Sequence, residues 1–128
     1  MKIHHVGIVT QDPDSVLQAL RLISPDIKLR AKFCIDQWSC GCFMYDGGIE
    51  LVVPWDGKLF MWLKEQGHSS IHHIAIEVDD VKKKGDELRA LGVPLVSDEP
   101  VLGVEGLMVN FVHPAYMGVM LEIVQVPK

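Results

Sequence analysis

The sequence contains no apolar run of the roughly 20 residues that a membrane-spanning helix needs, and no block or face of clustered Lys and Arg. Its 12 basic residues are outnumbered by 17 acidic ones, for a formal net charge of −5 at pH 7. Binding to nucleic acid or to an anionic membrane draws on positive charge to release counterions, so neither is an expected partner and a small molecule is. Cysteine is scarce. Cys34, Cys40 and Cys42 are odd in number, and their spacing suits neither a disulfide framework nor a zinc knuckle; reduced thiols are expected. No long apolar stretch follows Lys2, because a strand pattern begins at Ile3, and a cytoplasmic location is expected.

What is present suits one soluble globular domain: 128 residues, 48% hydrophobic and 23% charged. A chain of this length buries about two-thirds of its unfolded surface on folding, enough for a core without cross-links or a structural metal. A bound metal is then free for chemistry.

An internal repeat organises the chain. Ile3 to Ile23 aligns without a gap on Ile71 to Leu91, with identities that include His4/His72, His5/His73, Asp12/Asp80 and Leu20/Leu88. Glu50 in Ile49-Glu50-Leu51-Val52 recurs as Glu122 in Leu121-Glu122-Ile123-Val124. Each copy reads as βαβββ. Asp12 or Asp14 caps the first helix, with Val16, Leu17, Leu20 and Ile23 inward; Asp79 or Asp80 caps the second, with Val81, Leu88 and Leu91 inward and Gly92 ending it. Further strands are predicted over about 29–35, 39–45 and 49–53 in the first copy, and about 94–97, 107–113 and 119–125 in the second. A short helix over about 58–66, ended by Gly67, connects them. The expected arrangement is one domain, residues 1–128, with modules at about 1–56 and 69–128 joined by a connector at about 57–68.

Side chains alternate across a strand, so adjacent His4 and His5 are predicted to point to opposite faces, as are His72 and His73. His4, Val6 and Ile8 form the face beneath the helix. His5 and His73 face the other way, each beside a small residue, Gly7 or Ala75, that leaves room. Glu50 and Glu122 join them, since their apolar neighbours take the helix side. Two His and two Glu therefore line one concave surface. A buried carboxylate costs several kcal/mol unless paired or bound to a cation. Two Glu and two neutral His around a divalent ion (Zn, Co, Ni, Mn or Fe) meet that demand. They leave two cis positions open for a substrate that chelates through two oxygens, whose carbonyl is polarised and whose adjacent C–H is acidified. A lone strand histidine is ordinarily structural and a lone edge glutamate ordinarily solvated. Recurrence of both types at matching places is what favours a metal site with ligands His5, Glu50, His73 and Glu122. Asp36 and Glu77 are further carboxylates near the pocket rim, and Trp38, Trp55 and Trp62 are read as pocket wall or ordinary packing. His68 is read as a loop residue and His113 as a turn residue.

The paired βαβββ modules, the strand starts His5-Val6-Gly7-Ile8 and His72-His73-Ile74-Ala75-Ile76, and the segment Asn110-Phe111-Val112-His113-Pro114 followed by Gly118-Val119-Met120-Leu121-Glu122 resemble the vicinal oxygen chelate (glyoxalase/bleomycin resistance) superfamily. Within it the methylmalonyl-CoA epimerases are the most similar. The resemblance implies an α+β fold in which eight strands curl into an open cup around the metal, and a homodimer. It implies a metal-dependent epimerase or isomerase acting through an enolate on an acyl-CoA thioester such as methylmalonyl-CoA. Two carboxylates would work on opposite faces of the α-carbon: Glu122 matches one, and Asp36, one methylene shorter than the Glu of relatives, falls at the other. Three alternatives are a glyoxalase I-like lyase on a glutathione hemithioacetal, an Fe(II) dioxygenase using His5, His73 and Glu122, and a non-enzymatic small-molecule binder.

Overall fold

Two Asp-capped helices and a glycine-ended connector divide the strands into two sets. In the computed structural model, which describes residues 1–116 and 120–128, the first set is β1 (Ile3–Val9), β2 (Leu29–Ile35), β3 (Cys40–Tyr45) and β4 (Ile49–Pro54), with α1 (Pro13–Ile23) after β1. The connector α2 (Gly57–Gln66) leads to β5 (Ser70–Glu77), α3 (Val81–Ala90), β6 (Val101–Leu102), β7 (Met108–Val112) and β8 (Leu121–Gln125). Asp12 accepts the Ser15 N–H at 3.2 Å and Asp80 accepts the Lys83 N–H at 2.9 Å, each satisfying a helix-start donor that has no partner within its helix. Gly67 ends α2 at φ 76°, a left-handed conformation that glycine adopts without strain.

The strands form one sheet in the order β2-β3-β4-β1-β5-β8-β7-β6. β1 pairs parallel with β4, and β5 with β8, while the two sets meet antiparallel at β1 and β5. The mixed sheet curls into an open cup with three helices among the described residues, the expected α+β architecture. Arg30 on β2 spans the open seam, donating to both carboxylate oxygens of Glu105, in the turn between β6 and β7, at 2.9 and 2.8 Å. The hydrophobic core lies inside the cup, where Val9, Cys42, Met44, Ala75 and Val124 are buried together.

Several helix and strand assignments change. α1 has no fully buried residue, and Ile23 and Leu91, read as inward, are 88% and 79% exposed. Ile23 is the last residue of α1 and Leu91 the C-cap of α3, so both lie past the turns that the sheet covers. The strand expected over 94–97 is reduced to a bridge between Leu95 and Val112, and β6 begins only at Val101. Pro94 has no N–H to give a ladder. The Asn110 side chain takes both backbone groups of Ser97, accepting its N–H at 3.2 Å and donating to its carbonyl at 2.9 Å, which replaces strand pairing there. The other strand limits shift by one or two residues, and Val119, assigned to the last strand, lies outside the described residues.

Candidate metal centre

Backbone register builds the centre as two neighbouring rungs. On one, Glu50 of β4, Gly7 of β1 and His73 of β5 stand side by side; on the next stand His5 of β1, Ala75 of β5 and Glu122 of β8. In each rung the small residue sits between the acid and the imidazole, so the two larger side chains can lean over it. A methyl group added to Gly7 would overlap the His73 ring, a close approach that requires glycine.

The four polar side chains are brought together and buried: His5, His73, Glu50 and Glu122 are 2%, 4%, 6% and 5% exposed. The Nε2 atoms of His5 and His73 lie 3.2 Å apart. Glu50 Oε1 is 3.4 Å from the first and 3.3 Å from the second, and Glu122 Oε1 is 3.0 and 3.7 Å from them. Such separations match the roughly 3 Å between adjacent donors around a cation with bonds of about 2.1 Å. Glu122 Oε1 is buried and, among the described residues, makes no hydrogen bond.

Two ring nitrogens and two carboxylates buried this close together need positive charge among them. In the metal-free chain a proton supplies some of it. Burial pulls the pKa of His5 down, but the Glu122 and Glu50 carboxylates overcome that and hold it at about 9. Burial pushes the Glu50 carboxyl up, and the two imidazoles bring it below its usual range. A divalent cation meets the same demand at His5, Glu50 and His73, whose donor atoms lie within 4.8 Å of one another, with the Glu122 carboxylate 3.0 Å from His5 beside them.

His4 and His72 do not turn away as strict alternation requires. Ile3 pairs with Ile76 and His5 with Ala75, which leaves His4 as an extra residue in β1; Gly7 pairs with His73 and Ile8 with Ile71, which leaves His72 extra in β5. These are β-bulges, which break alternation and re-aim a side chain. Each extra histidine turns back on its neighbour, with Nδ1 to Nδ1 hydrogen bonds of 2.8 Å for His4 and His5 and 2.9 Å for His72 and His73. His72 also meets the Trp62 ring edge-on, with centroids 4.9 Å apart.

A cavity of about 1130 Å³ opens over the centre. Trp38, in the 3-10 turn after β2, packs at a 60° tilt against Phe111 of β7, with 5.3 Å between centroids, joining the two sets across it. Trp62 also lines this cavity, whereas Trp55 is 52% exposed. Asp36 is not brought to the cluster. It heads the turn and is exposed, while Gln37, Trp38 and Ser39 from the same segment line the cavity. Glu77 is paired with Lys2 at 3.4 Å instead. His113 accepts the Ala115 N–H at 3.1 Å in a turn, and His68 bonds within its own loop. All three cysteines are free, and Cys40 and Cys42 lie buried in the cavity wall. The sequence reading missed them there, although their two-residue spacing on one strand already put both on a single face. It also missed Asp98 and Glu99, which line the mouth because the predicted strand breaks just before them.

The family model of the Glyoxalase/Bleomycin resistance protein/Dioxygenase superfamily matches residues 4–111. The chain belongs to this superfamily. This superfamily member is 37% identical over 78 residues to the mitochondrial methylmalonyl-CoA epimerase of Dictyostelium discoideum, a match covering 59% of this chain and 47% of that protein. It thus spans about half the length of the curated relatives it matches. Solved structures align over nearly all of it. A variant of the Streptomyces coelicolor methylmalonyl-CoA epimerase in complex with 2-nitronate-propionyl-CoA has a TM-score of 0.88 at 27% identity, covering 100% of this chain and 99% of that one. The Mycobacterium tuberculosis methylmalonyl-CoA epimerase has a TM-score of 0.84 at 25% identity, covering 98% and 88%.

Proposed function

We propose that this chain is a metal-dependent epimerase acting through an enolate on an acyl-CoA thioester such as methylmalonyl-CoA. The observation that carries the reading is the convergence of His5, Glu50, His73 and Glu122 beneath an open cavity, with one buried Glu122 oxygen left without a hydrogen bond. Likeness over the whole chain to epimerase structures, one of them holding an acyl-CoA analogue, supports it.

The four residues would hold a divalent ion, which supplies Lewis acidity to the substrate carbonyl and so acidifies the adjacent C–H. Glu122 removes or returns the α-proton on one face. Trp38 and Phe111 line the cavity with apolar surface, which would limit water at the reacting carbon. On the opposite face we assign the second transfer to Asp36, whose next residues line the cavity. Asp98 and Glu99 take that role if Asp36→Asn leaves epimerisation intact. A cytoplasmic homodimer belongs to the same proposal, with light scattering as the test of the dimer. Among the described residues no helix is long and apolar enough to cross a membrane.

The test is deuterium uptake at the substrate α-carbon by metal-loaded protein in D2O. Uptake that disappears in Glu122→Gln is the expected result, and loaded protein that binds the thioester but exchanges nothing overturns the proposal. A parallel assay on a glutathione hemithioacetal, if it alone shows turnover, reassigns the chain as a glyoxalase I-like lyase.

A further inference from the structure

Both bulges do the same thing: each sets a second imidazole behind a metal-facing one. We propose that His4 and His72 are positioning residues that hold the proton on Nδ1 of His5 and His73 and so aim both Nε2 lone pairs at the metal, an inference that rests on the metal-binding reading above.

A neutral imidazole has one N–H and one lone pair. For Nε2 to face a cation its lone pair must be there, so the proton belongs on Nδ1, and in a buried site that N–H needs an acceptor. Among the described residues the acceptor is Nδ1 of His4 for His5, at 2.8 Å, and Nδ1 of His72 for His73, at 2.9 Å. Having accepted on Nδ1, neutral His4 and His72 carry their own protons on Nε2. Without that partner, the tautomer with N–H on Nε2 points a proton at the place the metal must occupy.

The backbone shows that the pairing is built in. Neighbouring residues of a regular strand point to opposite faces and their rings cannot meet. A bulge lets them meet, at the expense of one unpaired ladder position. Here it occurs twice, in β1 and in β5, each time one residue before a metal-facing histidine. In the second half the accepting ring is steadied further, because His72 lies edge-on to Trp62 at 4.9 Å and to Phe111 at 6.1 Å. His72→Phe therefore keeps that aromatic packing and removes only the acceptor.

The experiment is a competition titration of apo-protein with Zn²⁺ against a chelating dye. It compares wild type with His4→Phe, His72→Phe and the acceptor-retaining His4→Asn and His72→Asn. Each Phe variant is expected to bind Zn²⁺ about 10- to 100-fold more weakly, and each Asn variant to recover most of the loss, with apo melting temperatures close to wild type. Phe variants that bind as wild type does, or Asn variants no better than Phe, overturn the proposal and leave the metal reading standing. Wild type that binds no Zn²⁺ overturns both. Where a variant fails to fold, 15N NMR of the Zn²⁺-loaded wild type decides. His4 and His72 are expected with protonated Nε2 and bare Nδ1, and a proton on Nδ1 of either one contradicts the assignment.

Discussion

The two halves of the cup carry the same parts, yet they leave their glutamates in different states. Each half offers a bulged histidine, a buried histidine beside it, a small residue and one strand-borne Glu. Glu50 sits almost evenly between the imidazoles, at 3.4 and 3.3 Å. Glu122 sits unevenly, its Oε1 at 3.0 Å from His5 and 3.7 Å from His73. Repetition thus accounts for the paired His and Glu of the cluster, and under the proposed function the inequality assigns proton transfer to one side of it. The rims differ in the same sense. The first half has a full β2–β3 hairpin, whereas the partner edge is interrupted at Ser97 by Asn110, which leaves the following residues at the cavity mouth.

The sharpest way to break this comparison is to neutralise each glutamate in turn. Glu122→Gln is expected to lower α-proton exchange by about 10²- to 10⁴-fold at saturating metal. Glu50→Gln should chiefly weaken metal binding and leave more exchange once metal is saturating. Equal loss of exchange in the two saturated variants would make the halves equivalent. The small residues come next. Gly7→Ala drives a methyl into the His73 ring and is expected to destabilise by about 1–3 kcal/mol, with weaker metal binding, whereas Ala75→Gly should cost about 0.5–1 kcal/mol. Urea unfolding and Zn²⁺ titration measure both.

The proton held by His5 gives a smaller effect, with a definite sign. His5 is raised from its ordinary 6.5 to about 9. Its contribution to the stability of the apo-protein is therefore fully present below about pH 6.5 and is lost as pH rises through about 9. Apo melting temperature should fall over that window, and saturating Zn²⁺ should flatten the fall because the cation replaces the proton. A slope unchanged by Zn²⁺ would separate His5 from the metal. The smallest effect is expected at the seam. Arg30 is 44% exposed, so Arg30→Ala should cost no more than about 1 kcal/mol by denaturant unfolding, and a larger loss would make the clamp a principal closure of the cup.

Much of this was legible in the residues. The repeat placed His5 with His73 and Glu50 with Glu122, and alternation along single strands sent all four to one face. The bulges were not legible, because a bulge is a mismatch of register between β1 and β5, and neither strand read alone shows it. The same limit hid the inward turn of His72. Helical spacing chose the apolar stripes of α1 and α3 but did not say where the sheet beneath them ends, hence the exposure of Ile23 and Leu91. The interrupted strand near Ser97 depends on a side chain 13 residues away, Asn110, which local pattern does not encode.

The central claim is that one divalent ion binds between the two halves, held by side chains from each. Its most direct test is a crystal structure of Co²⁺-loaded protein with anomalous data collected at the metal edge. One strong peak per chain, within bonding distance of Nε2 of His5 and His73 and of the Glu50 and Glu122 carboxylates, is the expected result. No peak there, or a peak held by ligands from only one half, would contradict it.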